Sequence, residues 1–461
     1  MRLALALTAL VVTACSTTVA TTTTTLPSTT STNTTPPSPP PPEATHYEVQ
    51  ACGSAVPRPW SILCRAVDLI EKRALFEPDM ASLAAAAAAG VRQVTEGAPT
   101  PVAEPVTCHV PADEFLGVCD VVVDRHRFDG IPVDQLVEGA VRGLFRFGLD
   151  PYSSYLDSES AARLQSIGPG HVLSLGMVVG ARDPSDSACS PLSATCRLTV
   201  LMVFDLGPAS GVDIAPGDLV TAIDGIPVDG ITETEAAARM SADAGATTVL
   251  TIESAGGAVT DHTLVHEDIR PASVEYGPAT DTILYLRVND FSQQAAQAVG
   301  QVLRSPDAVG IEGMILDLRG NPGGLVLSAQ AVASQFLQSG SVLVEETRAG
   351  RVELPVLAGG LVPASVELVV IVDGASASAA EIVAAALSAA GRGTVIGQPT
   401  FGKNLVQEVF GAPGGGEYRI TVARWLAPDG TDVGRGGLEP DLVVDTAGDV
   451  PIVEAVRLLE G

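Results

Sequence analysis

Lysine is nearly absent from this 461-residue chain: only Lys72 and Lys403 occur, so arginine supplies almost all of the 26 basic side chains. Arginine keeps its proton in proteins, whereas a buried lysine can lose one. A chain that avoids lysine yet sets one beside a serine-rich turn asks for a chemical reason. Positive charge is short overall. The 54 acidic residues give a formal net charge of −28, which argues against nucleic acid as a partner and against charge-driven binding to an anionic membrane. Histidine is scarce as well, and the last of the six, His266, precedes every serine-rich turn in the C-terminal part. None sits in a shaped turn with an acidic partner in view, so the usual base of a serine nucleophile is not in evidence. His262 and His266 read as surface residues of a polar strand. No CxxC occurs, and His109 and His126 complete no recognisable zinc ligand set. Past the N-terminus no apolar run reaches the roughly 18 residues of a membrane span.

What is present begins with an export signal: Arg2, an apolar stretch from Leu3 to Val12, then Thr13-Ala14-Cys15. The apolar stretch is too short to span a bilayer. Val12-Thr13-Ala14-Cys15 resembles a bacterial lipobox, which implies lipidation at Cys15 and an extracytoplasmic protein anchored to the cell membrane; an ordinary secretory signal is the alternative. Residues 16–45 are mostly Thr, Ser and Pro, with almost nothing to bury, and read as a disordered tether. Six cysteines remain, in three close pairs. In an exported protein an even count suggests disulfides, and neighbour pairing (Cys52–Cys64, Cys108–Cys119, Cys189–Cys196) is the simplest connectivity.

Residues 46–168 read as mainly helical, with apolar residues at helical spacing from Val133 to Phe147 and a helix candidate from Asp79 to Val94. Residues 169–269 change character to short strands with Gly/Pro punctuation and one helix, Glu233 to Asp243. Pro216-Gly217-Asp218 and Ile223-Asp224-Gly225 in this order of elements resemble a PDZ domain. That resemblance implies a groove for a peptide C-terminus, with Ser174, Leu175, Gly176 and Met177 as the carboxylate-binding loop and the Glu233 helix as the other wall. From 270 to 461 strands and helices alternate, as in an α/β domain. Strands are expected at Thr282–Val288, Gly313–Leu318 and Leu368–Val372, and helices at Gln293–Leu303 and Leu325–Leu337.

The chemistry gathers at the end of the Leu368 strand. A small-residue turn there holds Ser376 and Ser378, an Ala-rich helix follows, and the chain returns to Thr400-Phe401-Gly402-Lys403. A serine hydroxyl needs a base. Lysine, with an ordinary pKa of about 10.4, serves when burial lowers it to roughly 7–8. Phe401, Leu405 and Val406 offer apolar surroundings, and Gln407, four residues on, offers an amide to orient the amine. Donors for an acyl oxyanion are available at Ala379 and in the Pro322-Gly323-Gly324 turn, which lacks the GK[ST] ending of a phosphate loop. Spacing alone does not separate Ser376 from Ser378.

These segments together resemble the C-terminal processing peptidases, or tail-specific proteases. The matching stretches are Leu149-Asp150-Pro151-Tyr152-Ser153-Ser154-Tyr155-Leu156, Asp317-Leu318-Arg319-Gly320-Asn321-Pro322-Gly323-Gly324, Ser376-Ala377-Ser378-Ala379-Ala380-Glu381-Ile382 and Thr400-Phe401-Gly402-Lys403-Asn404-Leu405-Val406-Gln407. The resemblance selects Ser378, three residues before Glu381 and 25 before Lys403. It implies a serine endopeptidase with a Ser378–Lys403 dyad assisted by Gln407 and no metal or cofactor. It also implies a crotonase-like ββα core and polypeptide substrates recognised at their C-termini. Ala380, Asn404 and Tyr152 stand where the family usually has serine, glycine and histidine. A non-catalytic binding scaffold is the alternative from another class, and a crotonase-type acyl-CoA enzyme is disfavoured by export and by the lack of a basic phosphate pocket.

Overall fold

A computed structural model describes residues 47–53, 55–95, 105–166, 175–185, 188–203, 207–267, 272–434 and 436–461. The expected signal, Cys15, the tether and Ser174 lie outside them. No helix among the described residues is long and apolar enough to cross a membrane.

The N-terminal region holds β1 (Glu48–Ala51), α1 (Trp60–Arg73), α2 (Met80–Gln93), β2 (Thr107–Val110), α3 (Leu116–Asp129), α4 (Val133–Phe147), β3 (Ser154–Leu156) and α5 (Ser158–Ser166). It is helical as expected, but β1 and β2 also pair in parallel. Cys52–Cys64 joins β1 to α1, and Cys108–Cys119 joins β2 to α3. In α4, Leu136, Val137, Ala140, Val141, Leu144 and Phe145 form one buried stripe, the i, i+3/i+4 pattern of a core-facing helix. Helices α2 and α4 cross at glycines. A Cβ on Gly143 would strike Ala86 O, and one on Gly90 would strike Gly139 O. Gly143→Val is therefore expected to destabilise the chain by about 3 kcal/mol, since backbone cannot yield as a side chain can. Gly117→Ala, which meets nothing within 4 Å, should stay within about 0.5 kcal/mol of wild type or gain slightly. Denaturant midpoints of the two variants check the contrast.

Next come β4 (Met177–Arg182), β5 (Arg197–Val203), β6 (Leu219–Ile223), β7 (Ile226–Pro227), α6 (Glu233–Arg239), β8 (Thr247–Glu253) and β9 (Val259–Val265). The sheet runs β4-β5-β6-β8-β9, with β7 on β6, so β4 is an edge strand. Cys189–Cys196 closes the β4–β5 connection. Thr232 and Glu235 form a capping box at the start of α6, satisfying two of the N–H groups a helix start leaves open. Glu235 also accepts from Arg142 Nη1 at 3.1 Å and from Arg146 Nη2 at 2.7 Å. One buried carboxylate thus caps α6 and fastens it to α4. Helix α6 stops at Arg239, four residues short of the expected Asp243, with Met240 as its C-cap.

The C-terminal region holds β10 (Val274–Pro278), β11 (Ile283–Val288), α7 (Gln293–Val302), β12 (Gly313–Asp317), α8 (Val326–Ala333), β13 (Ser341–Thr347), β14 (Gly350–Pro355), β15 (Glu367–Val372), α9 (Ala379–Ala389), β16 (Thr394–Gly397), β17 (Leu405–Gly411), β18 (Glu417–Leu426), β19 (Leu442–Val443) and α10 (Val450–Glu460). Its main sheet is ordered β10-β11-β12-β15-β16-β19 and parallel from β11 onward. β12 (GMILD) and β15 (ELVVIV) are near-continuous apolar runs because both faces are covered. Met314, Leu316, Val370 and Val372 meet α8 and α9 on one face. Ile315, Val369 and Ile371 meet α10 on the other. A second sheet, β14-β13-β18-β17, takes β3 onto β18 at Glu417–Arg419. The β13–β14 hairpin is absent from the sequence expectations, and α8 ends at Ala333 rather than at Leu337.

Candidate active site

The serine turn is built by Asp373 at the end of β15. Its Oδ1 accepts from the N–H groups of Ala375, Ser376 and Gly320, each at 3.0 Å. Ser376 is fully buried, with its hydroxyl 2.8 Å from Leu318 O and 3.1 Å from Asp373 Oδ1. It is a structural member of the turn and is not placed as a nucleophile. Ser378 is only partly buried and holds φ 55°, ψ −112°. That left-handed backbone, rare for a side-chain-bearing residue, costs on the order of 1–3 kcal/mol and persists only when surroundings impose it.

Glu381 imposes it. This carboxylate, wholly buried one turn into α9, accepts from Ser378 N at 2.7 Å, Gly402 N at 2.7 Å, Lys403 N at 2.9 Å and the Thr400 hydroxyl. Burial pushes the Glu381 carboxyl up, and the four donors oppose the shift. One side chain thus ties the serine turn to the lysine loop.

Lys403 is held on its other side as well. The Trp425 indole donates to Lys403 O at 3.2 Å, and Trp425 N donates to Asn404 O at 2.9 Å. Asn404 Nδ2 donates to Asp432 Oδ1 at 2.6 Å, and Gly434 leaves the room, since a Cβ there would fall 2.5 Å from Asn404 Oδ1. The asparagine that replaces the family's usual glycine is therefore accommodated by a partner of its own. Burial holds the Lys403 ammonium below its ordinary value. Glu233, Glu381 and Asp150 pull the other way, and Arg419 adds to the lowering. The Tyr152 ring faces Nζ, with its centroid at 5.0 Å. Among the described residues no hydrogen bond joins Lys403 Nζ to Ser378 Oγ or to Gln407.

Gln407 lies just after a bulge in the β17–β18 pairing, which resets the side-chain alternation. Its Nε2 donates to Thr421 Oγ1 at 3.2 Å, and Thr421 Oγ1 donates to Asp150 Oδ1 at 2.7 Å. This fixes the amide with its carbonyl oxygen unused among the described residues. Gly323 packs on Ser378: a Cβ there would lie 2.8 Å from Ser378 Cβ. The Gly323 N–H, however, already donates to Asn321 Oδ1 at 2.8 Å. Gly324 N and Ala379 N carry no such bond among the described residues.

The inserted β-domain reaches the same place. Arg182 of β4 lies 3.5 Å from the centroid of the Phe401 ring, and Glu233 of α6 accepts from Ala181 N at 2.8 Å. Leu175 and Met177 are buried at the head of β4, and Gly176 between them takes φ 76°. His266 is a correction to its expected place on the surface: it is 1% exposed, within 2.8 Å of Thr248 Oγ1, and burial pushes its imidazole down. Sequence reasoning assigned no role to Asp150, Tyr152 or Thr421, although the Asp-Pro-Tyr-Ser turn was the available signal for the first two.

Residues 282–444 match Peptidase family S41. The carboxy-terminal-processing protease of Bartonella bacilliformis is 33% identical over 332 residues, covering 70% of this chain and 72% of that protein. The carboxyl-terminal-processing protease of Synechocystis sp. is 30% identical over 301 residues, covering 64% and 68% respectively. Among solved structures, the photosystem II D1 C-terminal processing protease shares the fold, with a TM-score of 0.66 over 88% of this chain and 98% of that one at 21% identity. With its serine turn and lysine loop bound to one carboxylate, and with relatives of this similarity and span, the chain belongs to the carboxy-terminal processing protease family, within peptidase family S41.

Proposed function

We propose that the chain is a serine endopeptidase that cleaves polypeptides near accessible C-termini, with Ser378 as nucleophile and Lys403 as general base. The observation that carries this reading is Glu381, which binds the backbone N–H of both residues and holds Ser378 at its left-handed φ. As Ser378 Oγ bonds to the scissile carbonyl carbon, its proton passes to Lys403 Nζ. The oxyanion is received by the open N–H groups of Ala379 and Gly324, with Gly323 shaping the approach. The C–N bond then breaks, and Lys403 returns the proton to the leaving amine. Water attacks the acyl-enzyme while Lys403 takes its proton, and Ser378 is regenerated. The Nζ–Oγ hydrogen bond closes when substrate is seated, as catalytic bonds commonly tighten only then. The free carbonyl oxygen of Gln407 accepts from the amine and orients it.

The inserted β-domain acts as a PDZ domain on a crotonase-like core. The outer edge of β4 before Ala181, whose N–H already donates to Glu233, takes the substrate tail as an added strand, α6 forms the second wall, and Ser174, Leu175, Gly176 and Met177 receive the terminal carboxylate. Export, lipidation of Cys15 and residues 16–45 as a tether place the enzyme at the outer face of the cell membrane, acting on exported or envelope proteins.

The test is incubation of the full-length protein with an unfolded polypeptide of known C-terminus, comparing wild type, Ser376→Ala and Ser378→Ala. Cleavage by wild type and none by folded Ser378→Ala is expected. Undiminished cleavage by Ser378→Ala would sink the mechanism, and binding without cleavage by wild type would make the protein a scaffold. Ser376→Ala should lower thermal stability, by loss of a buried hydroxyl bond worth about 1 kcal/mol, without removing the nucleophile.

A further inference from the structure

We propose that Tyr152 is a positioning residue of the reaction: its ring roofs the Lys403 amine and keeps water from it, while Asp150 holds that ring and Gln407 in one register. The inference rests on Lys403 as the base.

The geometry comes from a turn far away in sequence. Asp150 Oδ1 accepts from Tyr152 N at 3.0 Å and Ser153 N at 3.1 Å, and Asp150 Oδ2 accepts from the Ser153 hydroxyl at 2.5 Å. Ser153 Oγ in turn accepts from Thr421 N at 3.0 Å on β18, and Pro151 limits the backbone between. The turn is therefore rigid and bolted to the sheet that carries Gln407. From it the Tyr152 ring projects to 5.0 Å from Lys403 Nζ. The same Asp150 carboxylate receives Thr421 Oγ1, which receives Gln407 Nε2. A single acidic side chain thereby aims the cover of the amine and the amide proposed to orient it.

A ring face attracts an ammonium, while the water it displaces would have stabilised that ammonium more generally. Burial is the largest influence on Lys403. The charged groups facing it are Glu233 from α6, Glu381 from α9, Asp150 from the turn and Arg419 from β18. Three of these four favour the ammonium, so the neutral amine depends on exclusion of water, and the ring lies over the amine where it can supply that cover. The tyrosine hydroxyl is itself pushed up by burial and by Glu233, so it stays neutral and adds no charge to the site.

The experiment is the pH dependence of kcat/KM for the full-length protein on a tail-bearing unfolded polypeptide. The variants are Tyr152→Phe, Tyr152→Leu, Tyr152→Ala, Tyr152→Gln and Lys403→Ala, each checked by near-UV circular dichroism. Phe and Leu, which keep an apolar cover, should hold the acid limb of wild type. Ala and Gln, which admit water, should move it upward by one pH unit or more, giving about a tenfold loss below the limb that alkaline pH restores. A wild-type limb in folded Ala or Gln variants, with activity lost evenly at all pH values, would overturn the proposal. If the Ala variant does not fold, the Gln variant decides alone. Wild-type activity in Lys403→Ala would overturn the dyad itself, an outcome separate from failure of the Tyr152 role.

Discussion

Lys403→Arg is expected to fold normally, bind substrate and lose at least about 10³-fold in kcat/KM at every pH up to 10. The substitution keeps the positive charge and much of the length, so any role for residue 403 as a fixed cation would survive it. Only a role that needs a neutral amine would fail, because guanidinium does not give up its proton in a protein. The sign of the wild-type profile follows. In the proposed mechanism Lys403 acts when unprotonated, and burial lowers its proton affinity, so kcat/KM should rise with pH and reach its plateau below the range where an exposed lysine titrates. Stopped assays from pH 5 to 10 on both proteins check this. Activity in the arginine variant within tenfold of wild type would remove Lys403 from the role of base.

Glu381→Ala is expected to cost several kcal/mol of stability and at least about 10²-fold in activity in whatever fraction folds. Four donors converge on this carboxylate, and each buried donor left without a partner costs about 1–3 kcal/mol. Ser378 then loses the contact that offsets its strained backbone, and Lys403 loses one of its two anchors. Glu381→Gln keeps the volume but points N–H groups at N–H donors, so it should fold better than alanine and still lose at least about tenfold. Any displacement of Ser378 or Lys403 matters because acyl transfer tolerates little misplacement of the reacting groups. Denaturant midpoints and single-turnover cleavage separate the two losses. A glutamine variant with wild-type kcat would show that the dyad does not depend on this clamp.

The parts of the fold most legible in the sequence are those whose signals are local. The stripe in Val133–Phe147 appears as α4 at the expected bounds, because a 3.6-residue period and a core face are the same fact seen twice. The apolar runs of β12 and β15 lie where they were expected to within a residue. The β13–β14 hairpin is not legible in the sequence because β14 is exposed along most of its length and shows little of the alternation that marks a half-buried strand. His266 was misplaced for a related reason. A polar strand suggests solvent, yet the burial of His266 at the end of β9 is decided by contacts from β8.

At the site, residue types and spacing by themselves determined the candidates: one lysine in an apolar loop, two serines in a small-residue turn, no histidine in reach. Resemblance then chose Ser378 over Ser376. Only the tertiary structure could show that Ser376 spends its hydroxyl on the turn and that Gly323 gives its N–H to Asn321. The same holds for Asn404, which has an acceptor in Asp432, and for Glu381, which grips both halves of the site. Most of all, the structure brings Asp150 and Tyr152, from the N-terminal region, over an amine some 250 positions later in the chain. Periodicity and motif report what a residue does to its neighbours along the chain. The groups that surround Lys403 come from elements far apart in the chain, and the pairing of β3 with β18 carries the Asp150–Tyr152 turn to the sheet that holds Gln407.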